Sequence, residues 1–456
     1  MSCEYRDTQA VEGDLPTRLA GATAALLVLA ALLPLGVLML ALSRLKGLET
    51  VDQVLAFYIM PGSLALGLFA LSRRRPATRL TALLLICAMG AALLAADAVL
   101  HATGTIRSSG QPPVQGLTIG EAVDSIRSEG GVAYPTIPGN VLVNRDVAID
   151  VDGRTVHPVT PSPGHETTVL CNETGALIVY QSDRHGFNNP DEVWERDSTE
   201  VALLGDSYTH GLCVHPSEQP ASLLAQRYSS VNLGARGFGP LLQLAVLREY
   251  GALLRPRTVV WVHYEGNDAY DLRGEVGREW LTDYLEAPSH SQGLADSDHD
   301  RVFGEWIDGL MDEEFGTREA RRSSLLPGFR SLLTLSTLRQ VVGFGVPVPS
   351  RGSRIGRLPE VMLAADQTVA SWGGEIIFVY LPAYERFRTL IGEGVPGRRQ
   401  VLAAATNTGF NVVDLTPYFE ATGTPRRLWA SPRGHLGPDG YRVMVDGITE
   451  AVEVSR

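Results

Sequence analysis

The run Val201-Ala-Leu-Leu-Gly-Asp-Ser-Tyr-Thr-His-Gly211 carries an apolar strand straight into Gly-Asp-Ser, so one hydroxyl, Ser207, sits where a strand turns into a helix. A helix that starts just after Ser207 aims free backbone N–H groups at whatever the serine attacks. One turn can then supply an attacking oxygen and part of an anion site. The usual Gly-x-Ser-x-Gly elbow is not reproduced, because Thr209 stands at the second glycine. Three more polar signatures follow: the glycine-rich turn Asn232-Leu-Gly-Ala-Arg-Gly237-Phe-Gly-Pro240, the triplet Gly266-Asn267-Asp268, and Pro432-Arg-Gly-His435. Ser207 as nucleophile, His435 as base, and the Gly237 N–H with the Asn267 amide as oxyanion donors compose an acyl-transfer site.

Such groups need a scaffold that brings them to one edge. From about residue 200, short apolar runs at 201–204, 230–233, 258–264, 375–381 and 411–415 alternate with helical segments, the pattern of a parallel α/β sheet. Each polar signature follows one of these strands, and open α/β sheets bind ligands at the carboxyl ends of their strands. An excursion at 270–357 separates the third strand from the fourth, with helical pieces predicted near 280–285, 302–311 and 333–341.

The chain has 456 residues, 45% of them hydrophobic, and the first hundred hold most of the apolar excess. Uncharged runs at 19–42 and 54–71, and a third at 80–100 broken only by Asp97, are each long enough to cross a hydrocarbon core of about 30 Å as a helix. Residues 1–103 therefore read as a membrane anchor. The second loop holds Arg73, Arg74, Arg75 and Arg79 with no acidic residue, which assigns it to the cytoplasm. Arg44 and Lys46 in the first loop oppose this, partly balanced by Glu49 and Asp52. Three crossings then leave the N-terminus inside and everything after about residue 101 extracytoplasmic.

An oxidising outer compartment permits a disulfide between Cys171 and Cys213, which would pin a hairpin onto the first core helix; two buried thiols are the other reading. Neither cysteine has metal-ligand spacing with a His or another Cys, so no metal is expected. A net charge of -12, with no basic cluster outside the arginine loop, argues against a nucleic-acid partner. A linker at 104–116 leads to a β-rich extension, 117–198. Hairpins are predicted there around Asp152-Gly153 and around Asn172-Glu-Thr-Gly175.

Taken in order, Gly205-Asp206-Ser207, Gly237, Gly266-Asn267-Asp268 and His435 resemble the four sequence blocks of the SGNH hydrolases, also called GDSL esterases and lipases, over about residues 199–456. The resemblance implies a flavodoxin-like αβα sandwich with a five-stranded parallel sheet. It further implies Ser207 as nucleophile, its own N–H with Gly237 and Asn267 as the oxyanion hole, His435 as general base, and no cofactor. The chain departs from the pattern at Pro432, where the family usually has an aspartate three residues before the histidine. Ser431, a carbonyl of residues 429–433, Asp414 or Asp439 are candidate substitutes. The segment Asp183-Arg-His-Gly-Phe-Asn-Asn-Pro190, together with Gly239-Pro240 and Leu-Arg-Glu-Tyr250, is similar to an envelope-associated branch of that family.

Glu265 and Arg236 are candidate substrate contacts, and Asp206 and Asp268 are expected to hold the site loops. His210 should line the first core helix, and His263 should be a core histidine. The expected activity is a membrane-anchored, extracytoplasmic serine esterase that removes an acyl group, acetyl in the first instance, from an envelope glycan or other carbohydrate ester. An O-acyltransferase using the same serine and a glycan-binding or assembly protein with a decayed site are the alternatives.

Overall fold

A computed structural model describes residues 17–44, 54–102, 119–171, 177–322, 335, 355–387, 397–430 and 434–456. The three apolar runs form α1 (Thr17–Arg44), α2 (Met60–Ser72), which is entered through a π turn at Leu55–Ile59, and α3 (Pro76–Ala102). With the π turn counted into the second, which then runs Leu55–Ser72, all three are long and apolar enough to cross a membrane. Large side chains such as Leu33, Leu66 and Leu85 are exposed on them, as suits helices solvated by lipid.

The described residues from Ile119 onward, Leu335 excepted, form a second unit. It opens with α4 (Ile119–Ser128), β1 (Ala133–Pro135) and α5 (Gly139–Arg145). The hairpin of β2 (Ile149–Val151) and β3 (Arg154–Val156) follows, closing on Asp152 and Gly153, both with the positive φ that a two-residue hairpin turn requires. Next, β4 (Thr167–Cys171) and β5 (Ile178–Gln181) pair antiparallel, with β1 parallel to β4. The turn expected at 172–175 lies outside the described residues.

Five parallel strands make the main sheet: β6 (Val201–Leu204), β7 (Ser230–Asn232), β8 (Thr258–Tyr264), β9 (Glu375–Leu381) and β10 (Asn411–Asp414), in the spatial order β10-β9-β8-β6-β7. Numbered from the first core strand this is 2-1-3-4-5, the flavodoxin-like order. Side chains alternate between the faces of a strand. Ala202, Leu204, Val259, Trp261 and Phe378 pack with α8 (Pro240–Val246), α12 (Leu358–Ala370) and α13 (Arg398–Thr408). Val201, Leu203, Val260, Val262 and Val379 pack with α7 (Pro220–Leu224), α14 (Thr416–Ala421) and α15 (Pro438–Val454). Ala122, Ile137, Leu142 and Val169 of the extension join the first of these clusters, so extension and sheet share one core.

In the excursion, α10 (Glu279–Glu286) and α11 (His299–Arg322) form at two of the three expected places, after α9 (Asp268–Glu275). The third, at 333–341, lies almost wholly outside the described residues. A π turn at Leu247–Gly251 extends α8 and clamps this region. The Glu249 carboxylate accepts from Tyr284 Oη, Ser291 Oγ, Gln292 N and Leu294 N at 2.5–2.9 Å.

The segment 183–190 is a staple. Asp183 is fully buried, accepting His185 N and Phe187 N on Oδ1, and Asn189 Nδ2 and Trp194 Nε1 on Oδ2. Thus braced, the Asn189 amide donates to Asn232 O at 2.9 Å and accepts from Asn232 N at 2.7 Å. One side chain thereby satisfies both backbone groups of Asn232, on the free edge of β7.

Candidate active site

The strand order reverses between β6 and β8, which makes their carboxyl ends the switch point where doubly wound sheets bind ligands. Ser207 follows β6 as the first residue of α6 (Ser207–His210), a single turn. Asp206 caps that turn, accepting Tyr208 N at 3.0 Å. Gly205 must be glycine because a Cβ there would strike Thr209 Oγ1 and the Val262 carbonyl. Gly234 is likewise forced, since a Cβ would lie 2.6 Å from His210 N. The glycine-rich loop therefore packs directly on the serine turn.

His435 reaches Ser207 from across the chain, with Nε2 2.9 Å from Oγ. A bridge between Trp429 and Leu436 and the bond from Ala430 N to His435 O hold its loop. Tyr208 adds to this, donating to Gly434 O at 3.2 Å while its ring lies 5.0 Å from the imidazole. Tyr264 packs against Tyr208 with the ring centroids 4.1 Å apart and the planes tilted by 36°. Residues 431–433, including Pro432, lie outside the described residues.

The other two carboxylates offered as triad partners are committed elsewhere. Asp414 pairs with Arg398 and accepts Thr416 N, and Asp439 pairs with Arg442 on the surface. On the Nδ1 side of the ring the structure brings Cys213 Sγ to 4.0 Å. Cys213 is bonded to Cys171 of β4, with their Cα atoms 5.3 Å apart, so the disulfide ties the extension to the loop after α6.

Asn267 begins the turn after β8. Its Nδ2 donates to Asp271 Oδ2 at 2.9 Å. The amide carries two N–H groups, so Asp271 can hold one while the other meets a substrate oxygen. Burial, reinforced by Asp268, pushes Asp206 up to about 7 and Asp271 up to about 8. Asp268 holds the turn by accepting Tyr264 N at 3.0 Å, and its Oδ2 lies 3.1 Å from His263 Nδ1. His263 is buried against Phe378 and Tyr380, and burial lowers it to about 4.

Gly237 has φ +67, and behind it the start of α5 is docked through Gly139 N to Arg236 O at 2.8 Å. A Cβ on Gly139 would collide with Phe238 and the Gly237 carbonyl. His210 is buried: Nδ1 accepts Arg236 N and Nε2 lies 3.1 Å from Tyr180 Oη. Desolvation, then the Arg236 charge, holds His210 down at about 3, so it is a neutral brace between α6, the glycine loop and β5. Arg236 itself is half-buried in this loop.

Glu265 is a correction. Its carboxylate is 1% exposed, pairs with Arg386 and accepts Ala383 N at 2.8 Å, so it ties down the loop after β9 instead of facing substrate. Asp271 was overlooked, although a helix opening at Asp268 brings residues 267 and 271 together at i, i+4 spacing. Tyr270 was overlooked too: it is 70% exposed on the first turn of α9, with Arg273 Cζ 5.4 Å from its ring centroid.

No family model matches the chain, and no curated protein does. Several solved structures resemble it. TesA is 14% identical with a TM-score of 0.32, the match covering 56% of this chain and 98% of that one. A lipolytic protein of the G-D-S-L family from Veillonella parvula is 14% identical with a TM-score of 0.31, over 55% of this chain and 96% of that one. A GDSL-like lipase from Bacteroides thetaiotaomicron is 16% identical with a TM-score of 0.27, over 59% and 92%.

Proposed function

We propose that the chain is a membrane-anchored serine ester hydrolase that removes an acyl group, acetyl in the simplest case, from a carbohydrate ester outside the cytoplasm. The observation that carries this reading is the 2.9 Å contact between Ser207 Oγ and His435 Nε2 at the switch point of the sheet.

In the reaction, Nε2 takes the hydroxyl proton as Ser207 Oγ attacks the ester carbonyl. The resulting oxyanion is met by the Ser207 N–H at the start of α6, the Gly237 N–H and the Asn267 amide. Collapse passes the proton from His435 to the departing sugar hydroxyl and leaves an acyl-serine. Water, deprotonated by the same nitrogen, then releases the acid.

Two observations support a site outside the cytoplasm: the Cys171–Cys213 disulfide, and the three arginines Arg73, Arg74 and Arg75 between α2 and α3 with Arg79 in the first turn of α3. Tyr270 supports a sugar as the alcohol part of the ester, because an exposed ring beside the oxyanion loop offers an apolar face to pyranose C–H groups. Arg236 is a candidate contact for a polar or anionic group on the same substrate.

The test is acid release from an acetylated glycan by the full-length protein in detergent, with Ser207→Ala as the blank. Release that requires Ser207 and is unchanged by added sugar acceptors supports hydrolysis. Acylated acceptor as the main product would make it a transferase, and no turnover by folded protein would leave a glycan-binding or assembly role.

A further inference from the structure

We infer that the Cys171–Cys213 disulfide is the positioning element of His435, standing on the side of the imidazole where a carboxylate orients the base in Ser-His-Asp sites. The inference rests on the reading of Ser207 and His435 as nucleophile and base.

For Nε2 to accept the Ser207 proton, the neutral ring must carry its own proton on Nδ1. That nitrogen faces Cys213 Sγ at 4.0 Å, within reach of a weak N–H to sulfur contact.

The sulfur is itself fixed from several directions. Cys213 has φ +70, a left-handed conformation that a residue with a Cβ keeps only where its surroundings impose it. The bond to Cys171 imposes it from β4. The loop is also fastened by Leu212 N to Ser207 O at 3.0 Å and by Tyr441 Oη to Leu212 O at 3.1 Å. Leu170, Cys171, Tyr180, Leu212 and Cys213 form a small buried cluster around the bridge. The extension thus reaches the base through the Cys213 sulfur, 4.0 Å from Nδ1.

A contact that only stabilised the fold would be indifferent to the chemistry of the group at 213. A positioning contact would accept a better acceptor for Nδ1–H. Aspartate is that acceptor: it tolerates positive φ, and its side chain is one bond longer than cysteine's, which brings an oxygen toward hydrogen-bond range. Full-length wild type, Cys171→Ser/Cys213→Ser and Cys171→Ser/Cys213→Asp are compared in detergent for kcat and KM on a small acetyl ester; both variants lack the bridge equally.

The Ser/Ser pair is expected to lose about tenfold in kcat with KM within about twofold, and the Ser/Asp pair to regain most of that loss. Equal kcat for the two pairs, or a loss confined to KM, would overturn the inference. A second readout is independent of turnover and of whether the variants fold. Histidine-selective ¹⁵N spectra of folded wild type are recorded before and after phosphine reduction, with the His435 signals identified by their loss in His435→Ala. A shift of those signals supports the inference, and unmoved signals after complete reduction contradict it. A wild type without esterase activity whose His435 signals do move on reduction would instead remove the proposed function and leave the contact standing.

Discussion

Asn267 and Asp271 are joined by a 2.9 Å bond from the Asn267 amide to the Asp271 carboxyl, one turn further along α9. The group expected to meet the oxyanion is thus aimed by a second residue with no hydrogen bond to Ser207 or His435. Asn267→Ala is expected to cost about 100-fold or more in kcat through loss of one oxyanion donor. Asp271→Ala should cost about tenfold, chiefly in kcat, because the donor remains but is no longer held. Steady-state kinetics on one ester compares them; an Asp271→Ala enzyme with unchanged kcat would refute the aiming role.

The buried acids set the pH dependence of stability. Asp183 is raised to about 6, Asp206 to about 7, and Asp271 and Glu275 to about 8, all mainly by burial. Between the ordinary carboxylate range and these values the folded state binds more protons than the unfolded one, so stability falls as pH rises. His185 and His263, held at about 4, and His210, at about 3, act oppositely: they add stability as pH rises, up to the ordinary histidine value near 6.5. Above about 6.5 only the acids remain, so Tm should fall from there to pH 8, and Asp271→Asn should flatten that fall. A Tm that rises between pH 6.5 and 8 would contradict this.

Tyr270 lies on the rim beside the oxyanion loop and is 70% exposed. Tyr270→Ala should therefore raise KM about three- to tenfold for a glycan ester and leave kcat and thermal stability nearly unchanged. On p-nitrophenyl acetate, which has no sugar ring, it should have no effect. Equal losses on both substrates would remove the platform role.

Asn189→Ala strips the clasp from Asn232 N and O and one donor from Asp183, leaving buried polar groups without partners. The expected cost is about 2–4 kcal/mol of stability by chemical denaturation, with kcat per folded molecule preserved. A cost under about 0.5 kcal/mol would show that the 183–190 segment is no staple.

Much of this site is legible locally. Ser207, Gly237 and Asn267 follow strands whose apolar runs are plain, and a parallel sheet collects its strand ends on one edge. The strand order came from resemblance, since periodicity finds strands but does not say which lie side by side. Other features depend on partners far along the chain. Glu265 meets Arg386, 121 residues away, and nothing in Tyr264-Glu265-Gly266 signals that pairing. Cys213 meets His435 across 222 residues, through a loop whose histidine, not its surroundings, was readable. The helices α4 and α5 were missed because they are short and held by burial against the sheet, not by propensity.

Ser207 is proposed to be an activated nucleophile with His435 as its base. Labelling of the full-length protein with a fluorophosphonate probe tests it most directly, comparing wild type with Ser207→Ala and His435→Ala. Covalent labelling is expected in wild type at Ser207, none in Ser207→Ala, and a rate at least about 100-fold lower in His435→Ala. Folded wild type that resists the probe, or labelling that survives either substitution, would contradict it.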